Sequence, residues 1–218
     1  MNNKERVIRI SMLIIGVTIM SLGIALSIIG GLGTTPISCV PYVLSLGLTY
    51  FSVGEWTIIF NSLLLLLQFI LVRKFDYKQI SQLLILIIFG YATDFWLWIL
   101  SPITPDNYIF QWILCLSGCF ILAFGLIFEV KADLTVLPPD GVVMVVSKLT
   151  NREFGPTKPY FDLSMVIIGA ILSFLFFSYL VGIREGTVVA AIIIGHINKY
   201  YNKLFGHKID NYLEKIKS

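Results

Sequence analysis

Residues 30–49 read GGLGTTPISCVPYVLSLGLT, an uncharged stretch that is nevertheless too short in its helical part to cross a membrane. Gly30, Gly31 and Gly33 make a conformationally permissive lead-in. Thr35 suits a helix N-cap and Pro36 the first helical position. The apolar helix that follows, over about 36–48, covers about 18–20 Å at 1.5 Å per residue, short of the roughly 30 Å of hydrocarbon in a bilayer. A second piece of the same kind lies in the other half. There Asp133-Leu134-Thr135-Val136-Leu137-Pro138-Pro139-Asp140-Gly141 leads into a short helix over about 138–149, with Pro138 at its start and Asp140 in its first turn. Whether these two pieces cross decides the number of spans, and with it the fold.

Working outward, 57% of the 218 residues are apolar and 13% charged, against roughly a quarter charged in a soluble domain. The charges cluster between long uncharged runs, the pattern of a chain dissolved mostly in lipid. Six runs are long enough to span: about 9–29, 54–72, 79–100, 109–129, 159–182 and 186–203. With the short pieces not crossing and the N-terminus inside, Lys4, Arg6, Arg9, Arg73, Lys74, Lys78, Lys131, Lys148, Arg152, Lys158, Lys199, Lys203, Lys208, Lys215 and Lys217 all fall on the cytoplasmic side. Only Arg184 of the 16 Lys and Arg lies outside, as the positive-inside rule requires. Crossing by the short pieces would move Arg73, Lys74 and Lys78 outside. The apolar run from Ile8 exceeds a signal-peptide core and lacks a small-x-small cleavage site, so it is read as a span. The expected fold is an all-α transmembrane bundle of six spanning helices plus two short re-entrant helices, with both termini cytoplasmic.

The halves resemble each other at a spacing of about 102 residues. Gly16 matches Gly118, Gly23 Gly125, Leu32 Leu134, Pro36 Pro138 and Ser45 Ser147. After a one-residue slip, Leu48-Thr49 matches Leu149-Thr150, Gly54 Gly155, and Phe60-Asn61 Phe161-Asp162; further on, Ile87-Ile88-Phe89-Gly90 matches Ile192-Ile193-Ile194-Gly195. Three spans per half invert the second half, so the expectation is two inverted-topology repeats within one membrane domain. The first covers 1–104 (re-entrant 30–53) and the second 105–205 (re-entrant 132–158), followed by a cytoplasmic tail, 206–218.

Irregular backbone at membrane depth survives only against protein or a wet cavity. Two helix N-termini meeting at mid-bilayer would present unpaired N–H groups and positive dipole ends to a polar substrate. The candidate binding residues are therefore Thr34, Thr35, Pro36 and Ser38 at one tip and Pro138 and Asp140 at the other. Asn61, Asp162 and His196 join them as polar groups inside spans, where burial is costly. Asp140 has the alternative of capping its own helix. Asp94 is a further polar residue within a span. Glu55, Glu129 and Asp133 fall near span ends and are expected to be solvated or snorkelling. Trp96, Trp98, Trp112, Tyr108 and Tyr160 read as interfacial aromatics. Cys39, Cys115 and Cys119 have no metal or redox spacing. No HExxH, GxSxG, P-loop or paired-carboxylate motif occurs, so no enzyme, cofactor or metal is expected.

The stretch from Leu134 to Gly141, with Ser147-Lys148-Leu149-Thr150, Gly182-Ile183-Arg184-Glu185-Gly186-Thr187 and Ala191-Ile192-Ile193-Ile194-Gly195, resembles the YczE/YitT-like family of small bacterial integral membrane proteins. Pro139-Asp140-Gly141 and Gly186-Thr187 carry that resemblance best. His196 departs from it, standing where the family usually has proline, and the first tip lacks the tryptophan often found there. The resemblance implies a bacterial inner-membrane transporter with no substrate assigned.

The functional expectation is a small-molecule secondary transporter or uniporter of the bacterial cytoplasmic membrane. A substrate-binding subunit of a multi-component importer, a channel, and a non-transporting regulator or scaffold are the alternatives. The partners implied are the lipid bilayer, a small polar or charged substrate and a coupling proton or cation. A homodimer is open to it; nucleic acid is not, because the basic residues sit at the ends of apolar runs.

Overall fold

A computed structural model describes residues 3–73 and 77–217. Of the basic residues that set the topology, Lys74 lies outside the described residues, and the side chain of Lys78 is likewise not described. The described residues form helices and no strand. In chain order these are α1 (Asn3–Ile29), a 3₁₀ turn (Pro36–Ser38) running into α2 (Cys39–Gly47), α3 (Val53–Val72), α4 (Tyr77–Leu100), α5 (Tyr108–Ala132), α6 (Pro138–Leu149), α7 (Phe154–Phe177), α8 (Glu185–Tyr201), a π turn (Asn202–Gly206) and α9 (His207–Lys217).

Among the described residues, five helices are long and apolar enough to cross a membrane: those in α1, α3, α4, α5 and α7. This is the architecture of a multi-pass membrane protein. The run expected as the sixth span forms α8, whose 17 residues reach about 26 Å. The helical path then continues through the π turn into α9, so the segment read as a tail is an ordered helix. α9 buries Leu213 and pairs Asp210 with Lys131 of α5. The two short pieces form short helices, as the sequence predicts, with Thr35 as N-cap residue of the first turn and prolines opening both.

Polarity is arranged as lipid demands. Leu63, Leu66, Ile70, Leu84, Ile113, Leu163, Ile171 and Leu175 are exposed, whereas Ser21, Thr57, Asn61, Gln68, Thr93, Glu129, Ser173 and Thr187 are buried. Apolar surface on that scale is covered by lipid or by another protein. Between lipid-solvated helices there is little hydrophobic drive, so close packing of small residues holds them. The central pair, α1 and α5, shows this. A Cβ on Gly23 would stand 2.6 Å from the Gly118 carbonyl oxygen, and one on Gly16 would stand 2.8 Å from that of Gly125. One end of the pair is closed by Arg9. Its guanidinium donates to the Ala132 carbonyl at 3.0 Å, at the C-terminus of α5, and to Glu5 Oε1 at 3.0 Å.

The other helices attach in a crossed pattern: α4 on α1, α8 on α5, α2 on α7 and α6 on α3. Replacing Gly23 by Ala should lower stability by about 1–3 kcal/mol, the usual cost of overpacking, because the added methyl meets backbone that cannot turn aside. Thermal unfolding of the detergent-purified variant against the parent measures this.

Candidate functional site

Each short helix is held at its N-terminal end, and the two are held differently. At the first tip the backbone turns through Gly31 and Gly33, at φ 71° and 100°, values that favour glycine. The Gly186 N–H donates to the Leu32 carbonyl at 2.9 Å, and Arg184 Nη1 donates to the Gly31 carbonyl at 3.0 Å. The Gly182–Thr187 motif is thus the cradle of the first tip. Thr34, Thr35, Pro36 and Ser38 are buried there. The Thr35 hydroxyl lies 3.2 Å from Ser38 Oγ and does not cap the helix, while Thr34 Oγ1 has no partner. Cys39 packs on α7, where its Cβ would lie 3.1 Å from a Cβ on Gly169.

The second tip is charged. The Leu137 N–H donates to Glu129 Oε1 at 2.6 Å, so a carboxylate of α5 pins the residue that precedes Pro138. Lys158, in the second turn of α7, reaches Asp140 Oδ1 at 2.6 Å and Asp162 Oδ1 at 3.1 Å, and lies 5.8 Å from the Phe161 ring centre. Asp140 therefore meets a lysine from another helix instead of capping its own. The Pro138 carbonyl accepts from Gln68 Nε2 at 3.0 Å, which ties the tip to α3. A Cβ on Gly141 would come within 2.7 Å of the amide ends of both Gln68 and Gln82, so a side chain here would displace them.

The structure gathers the predicted residues into two groups. Pro138, Asp140 and Asp162 meet at the second tip; Thr34, Thr35, Pro36 and Ser38 form the first. Asn61 is buried on α3 with Oδ1 unpartnered. His196 is not brought in: it is exposed, and its Nδ1 lies 2.7 Å from the Ile192 carbonyl of its own helix. Asp94 has a structural task, accepting from Ser52 Oγ at 2.5 Å and the Gly54 N–H at 2.8 Å.

Two expectations are corrected. Glu129, expected solvated, is 1% exposed, because the second tip folds over it. Lys158, expected just before the fifth span, is in α7, which begins at Phe154, well before the expected start at 159. The signal for Lys158 was the i,i+4 spacing to Asp162, which puts both on one helix face. Nothing local marks Glu129. The three side chains are partly exposed, so removing the lysine should cost less than the roughly 3–5 kcal/mol of a fully buried pair, and replacing the whole set by neutral groups less again. Lys158→Met should therefore be measurably destabilised in thermal unfolding. The triple variant D140N/K158M/D162N should recover most of that loss.

With the geometry in view, comparison with known proteins is informative. Over 142 residues the chain is 31% identical to the uncharacterized protein YyaS of Bacillus subtilis (strain 168), covering 63% of this chain and 68% of that one. It is 24% identical over 196 residues to an uncharacterized protein of Haemophilus influenzae, covering 88% and 82% of the two chains. No solved structure matches. Residues 7–203 match the family of unknown function DUF6198, and the chain belongs to that family.

Proposed function

We propose that this protein is a small-molecule secondary transporter or uniporter of the bacterial cytoplasmic membrane, in which two inverted halves move about a site at the two tips. The observation that carries this reading is Lys158 bridging Asp140, on a short helix, to Asp162, on a long one. Charged groups placed among apolar helices are costly, and an ion bridge between two elements that can separate is one a substrate can compete for.

The packing supports the inverted relation. Gly16 matches Gly118 in sequence but touches Gly125, and Gly23 matches Gly125 but touches Gly118. Such exchange of partners is what a two-fold axis between α1 and α5 produces. At the spacings of the sequence repeat, Cys39 corresponds to Gly141 and Gln68 to Gly169. The contacts Cys39–Gly169 and Gln68–Gly141 are then one contact seen twice. The continuous helical path from Glu185 to Gly206 covers about 33 Å, enough for α8 and the π turn to make the sixth span. Both termini are then cytoplasmic, the side to which the basic residues assign them. Kinship with the YczE/YitT-like family fits the same picture, as does transport in place of catalysis.

Corresponding positions differ in charge: Ser38, Thr57 and Asn61 stand in the first half where Asp140, Lys158 and Asp162 stand in the second. The second tip discriminates on charge and the first on hydrogen bonding. A thermal-shift screen of purified protein against metabolites, followed by proteoliposome uptake of the best hit, tests the proposal. A hit at 100 times its Kd should stabilise by about 2.7 kcal/mol. D140N and D162N should lose both the shift and the uptake, while H196A keeps them. Unchanged uptake in D140N and D162N would overturn the site.

A further inference from the structure

The cluster at the second tip is short of positive charge. Around Glu129, α1 brings Glu5 and Arg9, which pair with each other, and α9 brings Asp210, which pairs with Lys131 of α5 itself. The second tip and α7 bring Asp140, Lys158 and Asp162, with the one lysine shared by two carboxylates. On α8, Glu185 pairs with Arg184, and His196 and Lys199 are exposed. Among the described residues Glu129 is in no ion pair, and Lys158, which acts on it from a distance, is engaged by Asp140 and Asp162. One of the Glu129 oxygens takes the Leu137 N–H; the other, Oε2, has no partner, in a side chain that is 1% exposed. An ionised carboxylate so placed costs several kcal/mol. A protonated one does not, and it keeps the Leu137 hydrogen bond on its carbonyl oxygen. The carboxylates do not converge as metal ligands do: among the described residues no group of three His, Cys, Asp or Glu could hold an ion.

We propose that Glu129 is a proton-binding site, occupied while the second tip is seated on it and exchanging its proton when Leu137 moves away and water enters. This rests on the site proposed for transport, yet its test needs no substrate. Infrared spectra of the purified full-length protein at neutral and alkaline pH should show the carbonyl stretch of a protonated carboxyl that disappears as pH rises. Carbon-13 labelling of glutamate should shift that band, and E129Q should abolish it. D140N and D162N should retain it. No such band at neutral pH, or a band that ignores glutamate labelling or persists in E129Q, would overturn the proposal. Labelling reports every glutamate, and Glu5 is likewise buried with Oε2 unpartnered, so the band belongs to Glu129 only if E5Q retains it. Where E129Q fails to fold, E129D should shift the band, and a band unmoved in E129D would overturn the proposal.

A separate observation carries a second inference. In the first half α3 lies against α4: a Cβ on Gly90 would stand 2.7 Å from the Gly54 carbonyl oxygen, and Asp94 holds Ser52 and Gly54. In the second half the matching glycines, Gly155 and Gly195, have no atom within 4 Å of where a Cβ would be, and α7 barely touches α8. A depression of about 430 Å³ lined by Met144, Ser147, Lys148, Asn151, Arg152 and Phe154 lies along α6 and the start of α7. At the repeat spacings, Ser52 corresponds to Glu153, each the N-cap of its helix, and Asp94 to Lys199. Glu153 and Lys199 are both exposed, oppositely charged and outside every ion pair among the described residues.

We infer that the described arrangement is sealed outside and open inside, and that its counterpart closes Gly155 on Gly195 with Glu153 paired to Lys199 while Ser52 leaves Asp94. This rests on the inverted-repeat reading. In membrane vesicles, a short bifunctional thiol reagent should join S52C to D94C and, in a separate variant, E153C to K199C, within one chain. In the quadruple variant, forming the first link should prevent the second. Failure of E153C/K199C to link, or both links in one molecule, would overturn the gate. Impermeant maleimide separates this from failure of the repeat itself: S52C and E153C should label from opposite faces, and labelling from one face would sink the inverted topology.

Discussion

The contact on which the rest depends is backbone against backbone, where α1 meets α5 at Gly16–Gly125 and Gly23–Gly118. With no side chain between them, the two helices lie close enough for dispersion and carbonyl contacts to act along the pair. In a lipid solvent that closeness replaces the hydrophobic drive available in water. It also sets a geometry. α4 packs on α1, α8 packs on α5, and the two short helices cross to the opposite half, α2 on α7 and α6 on α3. Arg9 finishes one end of this spine by donating to carbonyls of the last turn of α5, groups that a helix terminus otherwise leaves unpaired.

On that frame the two short helices are built alike and equipped differently. Both open at proline after an extended lead-in. The first is cradled by backbone and Arg184 and lined by hydroxyls; the second is held by Glu129, Lys158 and Gln68. In a transporter this inequality has a use. Under the proposed function, the charge-bearing tip would respond to a cation or proton and the neutral tip to shape and hydrogen bonding.

Much of this was legible in the chain. The short length of 36–48 and 138–149 and the prolines that start them follow from local rules of rise per residue and proline geometry. So does Thr35 as an N-cap position. The candidates chosen for being polar within apolar runs divided according to facing. Asn61 and Asp162 turn inward; His196 turns outward and bonds its own helix. A helix of almost uniform hydrophobicity gives no periodicity from which that facing can be read. Lys158 was hidden by a span boundary placed five residues late, and Glu129 by its position near the end of a run, where a carboxylate ordinarily reaches water.

By itself the sequence determined which segments are apolar and where the two short helices begin, because each of these depends on neighbours along the chain. Only the tertiary structure decided that Lys158 is shared by Asp140 and Asp162, that Glu129 closes on Leu137 and that Gly54 meets Gly90 while Gly155 meets nothing. These pairings join different helices. The distance between such groups is set by how the helices cross and rotate, and residue spacing along a single chain does not encode it.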